Sequence, residues 1–302
     1  RLLVRGHRFD EALPELETLH AAIAELRGDD HPQTFKALEE WAIGMGTAGH
    51  AADALPMFER LLAWRRKHLG SRHPDTLTAM NGLAVTLNNL QRWPEAIRVS
   101  RDALRARQDL LGREHPQTLR SQLNLGAMLA NNDEVAEALA ITRECFETRL
   151  RRLGPDNPDV YTAAQNLVDF EIIAGDPVEA LRLARLVLSE RKRLLPPDHD
   201  EVTRSIPLLA RALSAGGAHA EAIALLEAEI ARENDPDDPA HQRRRGIAAW
   251  YLAQSLRALG RGEEADALLA AHMPALLAQP WADLNPPERH ARRLYEASLS
   301  GR

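Results

Sequence analysis

One period governs this chain. His31-Pro32, His73-Pro74 and His115-Pro116 stand 42 residues apart, and Asn157-Pro158 and His199-Asp200 continue the series. An Ala that follows Glu or Asp recurs at the same interval, at Ala12, Ala54, Ala96, Ala138, Ala180 and Ala222, and a Leu or Ile follows each one. A third marker is Gly28, Gly70, Gly112 and Gly154, with Pro196 in the fifth slot. Such a chain folds as stacked supersecondary units, each burying its apolar face only against its neighbours. After Ala222 the register loosens: the next equivalent is Ala265, 43 residues on, and the extra residue is assigned to the loop Asn234 to Pro239, where insertion costs least.

Each unit reads as two helices. The first starts at His-Pro or Asn-Pro, because Pro at the first helical position gives up no hydrogen bond. Asn157 and Asp238 are direct caps. The helix runs to a turn such as Leu90-Gln91-Arg92 or Gly175-Asp176-Pro177, and the second helix begins near Pro94, Val135 or Pro177. It ends at Leu-Gly, where Gly takes the left-handed position, or at Pro196-Pro197. Ala84, Gly126 and Ala210 mark where the paired helices approach, facing the repeated Ala of the second helix. Two departures are expected to matter. Gly44, Gly46 and Gly49 in the first helix of the first full unit should lower its stability by roughly 1 kcal/mol each relative to Ala. Pro207 should kink its helix or delay its start.

Composition narrows function. Aromatics make up 4% of the 302 residues, while Ala and Leu abound, which favours helices over sheets. Net charge is −6, unlike a nucleic-acid binder with one basic face. Lys occurs only at 36, 67 and 192, so the positive charge is carried by Arg, which we take as a sign of GC-rich coding. A single cysteine, Cys145, makes no internal disulfide and reads as a small buried hydrophobe. No apolar run reaches 18 residues, so no membrane insertion by this stretch is expected, and no signal peptide is seen. The chain starts at Arg1 inside an apolar helical pattern, and is read as a fragment whose first unit, residues 1–28, is truncated.

The pattern resembles the tetratricopeptide repeat, whose first helix carries Leu-Gly/Ala and whose second carries a small residue at a fixed offset. "HPDTL…NGLA", from His73 to Ala84 in a 42-residue unit, is similar to the long kinesin-light-chain variety. The resemblance implies an all-α, right-handed α-solenoid of about six to seven helix pairs. It would cover residues 1–280, in units starting near 31, 73, 115, 157, 199 and 240, with a capping helix and tail over 281–302. Residues 258–269, "ALGRGEEADALL", and 289–302, "RHARRLYEASLSGR", resemble the C-terminus of bacterial transmembrane Ser/Thr kinases that carry such repeats. That implies a regulatory or sensing region of a larger signalling protein.

The resemblance also places the binding groove on the first helices. It implies contact residues Asn81 and Asn88 in the second unit, Arg120 and Asn124 in the third, and Gln165, Asn166 and Asp169 in the fourth. Arg204 and Arg211 follow in the fifth, then Trp250, Tyr251, Gln254 and Arg257 in the sixth. Asn124 and Asn166 share one groove position, where an amide offers a peptide group both donor and acceptor. Arg204, Arg211 and Arg257 suit carboxylates, while Glu39 and Glu40 mark the other end. The expected partner is therefore a protein or an extended peptide, with an acidic end giving it a direction. Solvated Asn, surface Arg and a core-packed Trp250 are the plain alternatives for these residues.

Nothing here points to catalysis. Most of the His at 31, 73, 115, 199 and 241 are repeat markers, and no His-Glu-x-x-His, paired-Cys, phosphate-loop or Gly-x-Ser-x-Gly pattern occurs, so no enzyme, metal or cofactor is expected. The alternative is a homo-oligomerising scaffold or a free-standing adaptor, which a groove filled by the chain's own tail would favour. The compartment stays open: a cytoplasmic adaptor and a periplasmic sensor would share these features.

Overall fold

The computed structural model describes residues 9–196, 199–231, 239–278 and 286–300. Among these are fourteen helices and no strand. A first helix, α1 (Phe9–Arg27), precedes five pairs: α2 (Pro32–Thr47) with α3 (Ala51–Leu69), α4 (Pro74–Asn89) with α5 (Trp93–Leu111), α6 (Pro116–Asn131) with α7 (Val135–Leu153), α8 (Asp159–Ala174) with α9 (Pro177–Leu194), and α10 (Asp200–Ala215) with α11 (His219–Ala231). A sixth pair, α12 (Pro239–Ala258) and α13 (Gly262–Ala278), is followed by α14 (Pro286–Ser300). The segment Arg1 to Gly6, the Asn234 to Asp238 loop, its Asp238 cap and Pro197 lie outside the described residues.

The repeat fixes its ends with recurring bonds. Pro32 and Pro74 open their helices at the first position, and the preceding His acts as the cap. The Nδ1 of His31, His73, His115 and His199 accepts the backbone N–H two residues on, at 3.1–3.2 Å. In the fourth unit Asn157 Oδ1 takes over, accepting from the Asp159 N–H at 2.9 Å. Thr34, Thr76 and Thr118 each donate a hydroxyl hydrogen to the carbonyl of Gly28, Gly70 or Gly112, at 2.8–2.9 Å. These clamps hold each inter-unit turn, whose Gly has φ near +90° in Gly70 and Gly112. A second left-handed position lies within each pair, and it tolerates Gln91 and Asp133 as well as Gly.

The paired helices touch through small residues. Ala54, Ala96, Ala138, Ala180, Ala222 and Ala265 are all 0% exposed. Ala84 and Ala210 of the first helices are equally buried, as is Gly126, with Val168 in the fourth unit. Two expectations are corrected. Gly49 is no part of a helix: α2 stops at Thr47, and Gly49 takes φ +91° in the turn. Pro207 delays nothing, since α10 starts at Asp200 on the His199 cap and runs through it. The cap and the buried neighbours Leu208, Leu209 and Ala210 outweigh one missing N–H.

The chain divides into two compact units, residues 1–128 and 129–302, the division falling within α6.

Candidate binding faces in the two units

In the first unit, the first helices α2, α4 and α6 line a groove of about 560 Å³. Ala42 and Ile43 of α2, Phe58 of α3 and Val85 of α4 form its apolar wall; Glu39, Asn81 and Arg120 are among its polar groups. Phe58 reaches the groove because α4 presents no side chain at Gly82. A Cβ there would lie 2.2 Å from Phe58 Cε1.

A row of arginines on the second helices recurs with the same period: Arg65 and Arg107 in this unit, Arg149 and Arg191 in the other, again 42 apart. Arg65, Arg107 and Arg191 are 7%, 1% and 2% exposed. Arg65 grips Glu39 with both terminal nitrogens, at 2.6 and 2.8 Å, and also donates to the Asp75 carbonyl. Arg191 donates to Ser205 Oγ and the Glu201 carbonyl through Nη1 and to Gln165 Oε1 through Nη2, and pairs with the Glu201 carboxylate. Arg107 repeats the serine contact, its Nη1 donating to Ser121 Oγ at 2.5 Å. Its Nη2 and Nε, however, are buried without a hydrogen-bond partner. The residues at the acidic offsets are neutral here, Asn81 in place of Glu39 and Gln117 in place of Glu201. Asn81 Oδ1 is turned instead to Asn124 Nδ2, at 2.8 Å. Burial, and then the charge of Arg120, push the Arg107 guanidinium below its ordinary pKa. Arg120 therefore stands at one end of the groove, with no carboxylate among the described residues hydrogen-bonded to the buried Arg107 whose charge it faces, whereas Glu39 at the other end is neutralised by Arg65.

Of the residues read from sequence in this unit, Asn81 and Arg120 line the groove, Asn124 is bound to Asn81, and Asn88 is half-buried on α4.

In the second unit several of the read residues are engaged within the chain. Gln165 holds Arg191. Asp169 pairs with Arg211 at 2.7 Å, both largely buried; burial raises the Asp169 pKa against the pull of Arg211. Arg257 pairs with Asp266 at 2.5 Å. Arg204 is exposed, and Asn166 and Gln254 are half-buried. Trp250 and Tyr251 are 5% and 6% exposed, and burial pushes the Tyr251 hydroxyl up to about 12. The Trp250 indole meets the Tyr295 ring of α14 edge-on at 6.1 Å. α14 packs on α12 and α13 and also reaches α8, so it lies along the first-helix face instead of only closing the end. Arg293 of α14 donates to both carboxylate oxygens of Asp133, at 2.8 and 2.9 Å.

Among the described residues, no group of three or more His, Cys, Asp or Glu is placed to hold a metal ion. None of their helices is long and apolar enough to cross a membrane. The tetratricopeptide repeat model matches residues 38–108 and 75–149. Residues 38–149 are tetratricopeptide repeats. The pairs beyond them keep the buried Ala, at the 42-residue spacing to Ala222 and one residue later at Ala265. Among solved structures, the chain is similar to the kinesin light chain TPR-like repeats of Podosopora anserina, 26% identical over 65% of this chain and 93% of theirs, with a TM-score of 0.59. Two more distant likenesses show the fold alone. BtubC (BKLC) from P. vanneervenii is 17% identical over 77% of this chain and 95% of its own, TM-score 0.59. A Rap protein solved with competence and sporulation factor is 11% identical over 99% of this chain and 94% of its own, TM-score 0.56. No curated protein matches the chain in sequence. The all-α fold is that of tetratricopeptide solenoids, and such repeats serve as protein–protein interaction modules, generally as non-enzymatic scaffolds.

Proposed function

We propose that the chain binds an extended peptide in the groove of its first unit, with an acidic side chain of the ligand over Arg120. The observation that carries this reading is the pair Arg107 and Arg120. A buried guanidinium without a counter-charge is costly, and a carboxylate brought to the groove offsets that cost. Arg120 is the exposed member and makes the contact; Arg107 acts from beneath through its field. The apolar wall of Ala42, Ile43, Phe58 and Val85 takes the neighbouring ligand side chain. In this reading the chain is the non-catalytic, regulatory part of a larger bacterial signalling protein such as a Ser/Thr kinase, as the resemblance of residues 258–269 and 289–302 suggests.

The test uses two pools of blocked hexapeptides with randomised flanks, one with Glu and one with Gln fixed at a central position, captured on the immobilised full chain. A charge-assisted contact of about 1–2 kcal/mol predicts roughly a five- to thirty-fold excess of the Glu pool. Arg120→Gln should erase that excess, and Val85→Trp, which fills the groove from an exposed position, should erase capture of both pools. Equal capture of Glu and Gln pools overturns the acidic preference, and capture indifferent to Val85→Trp overturns the groove.

A second reading has support in the other unit. The first-helix face there is covered by α14, as a homo-oligomerising scaffold without a peptide groove would show.

A further inference from the structure

The buried residues of α14, which packs on α8, α12 and α13, are an unusual set for a permanently packed helix. Ala291, Glu288 and Arg289 are 0%, 5% and 2% exposed, while Leu294 and Leu299 are 45% and 49% exposed. A helix fixed once and for all in a core gains by turning its leucines inward and its arginine outward. Here the Arg289 guanidinium is pushed down to about 10, chiefly by burial. Two further contacts orient α14 at its edges: the exposed Arg293–Asp133 pair and the edge-on meeting of Tyr295 with Trp250. A solvent-exposed ion pair adds little net stability, so these edge contacts specify the seat more than they strengthen it.

The receiving face is built independently of α14. Trp250 and Tyr251 stand on α12, whose buried Ser255 hydroxyl bonds Ser214 of α10, and the Tyr251 carbonyl accepts from Ser214 Oγ at 3.0 Å. α8, α10 and α12 pack on one another in series. Asp133 is fixed by the left-handed turn between α6 and α7, and both of its carboxylate oxygens accept from one Arg293 nitrogen, Nη1.

From this arrangement we propose that the first-helix face of the second unit is a receptor for an amphipathic helix, held in the free protein by α14 and taken over by a partner helix. That partner presents a small residue, then an Arg and an aromatic residue two and four positions on, as Ala291, Arg293 and Tyr295 do. The two units then recognise different ligands: an extended acidic peptide in the first, a basic amphipathic helix in the second. The exposed Leu294 and Leu299 are the surface by which the displaced α14 is free to join a partner.

The probe is a synthetic, labelled helix peptide with the sequence of residues 286–300, titrated into the full chain and followed by fluorescence anisotropy. Amide exchange of α14 is measured in parallel. In the double variant Arg293→Glu with Tyr295→Ala, α14 amides should exchange at least tenfold faster. The probe should then bind at least tenfold tighter than it does to the wild-type chain. Adding Asp133→Asn, which suits the left-handed turn, should weaken probe binding threefold or more. Equal probe binding by the wild-type chain and the double variant overturns the proposal. So does a double variant whose α14 exchanges faster yet binds no probe, or whose α14 exchange is unchanged.

Discussion

Arg65 and Glu39 form a two-pronged ion pair that is almost closed to solvent, their side chains 8% and 15% exposed. One repeat later the same guanidinium, Arg107, has Ser121 alone for a side-chain partner among the described residues. The two sites are thus a natural comparison of a buried charge with and without its carboxylate.

Removing one member of the paired site should be expensive and removing the unpaired charge should not. Glu39→Ala leaves Arg65 buried and is expected to cost about 3 kcal/mol or more. Arg107→Met, of similar length and apolar, is expected to leave stability unchanged or to raise it. Urea unfolding of the first unit, followed through Trp64, which stacks on Phe35 and His68 in that unit, measures both.

The histidine caps are equally open to substitution. His73 Nδ1 serves the Asp75 N–H as Asn157 Oδ1 serves the Asp159 N–H. His73→Asn should therefore be close to neutral, and His73→Ala should lose about 1 kcal/mol in the same unfolding assay.

Acid should weaken the second unit through Glu179. Its hydrogen bonds from Arg182 and then Arg143 hold its carboxyl well below the ordinary 4.5, at about 2. A folded pKa below the unfolded one gives stability that is complete above about pH 4.5 and is lost as pH falls toward 2. Glu171, which shares Arg143 but is 4% exposed, is pushed the other way by burial, so it does not add to that loss. Unfolding of Glu179→Gln between pH 5 and 2 should show a flatter acid limb than the wild-type chain.

Cys145 should report on opening of α7. It is fully buried, and burial pushes its thiol up to about 11, so thiolate is scarce at neutral pH. Labelling by iodoacetamide at pH 7.5 should be negligible in the native chain and should rise with urea along the unfolding curve of the second unit. Fast labelling without denaturant would contradict this packing.

Much of the fold was legible because the repeat is written in residues with local consequences. Pro74 and Gly70 set helix ends by backbone geometry alone, and Ala96 marks the close approach of α4 and α5. Where other parts of the structure decide, the sequence was silent or misleading. Gly49 looked helical because nothing local distinguishes it from Gly46, yet the 42-residue register of left-handed turn residues through Gln91 and Asp133 assigns it to the turn. The arginine row at 65, 107, 149 and 191 was visible at the same spacing, but in an Arg-rich chain only burial separates it from surface charge. The pairing of Asp169 with Arg211 and the seat of α14 against Trp250 depend on tertiary contacts, and no local pattern carries them.

The most direct test of the account is a methyl-resolved NMR titration of the full chain with a peptide drawn from the Glu pool. The account predicts shifts at Ile43 and Val85 that disappear in Val85→Trp and weaken in Arg120→Gln. Shifts centred instead on the exposed second-helix residues Leu69 and Leu110, with Ile43 and Val85 unmoved, would contradict it.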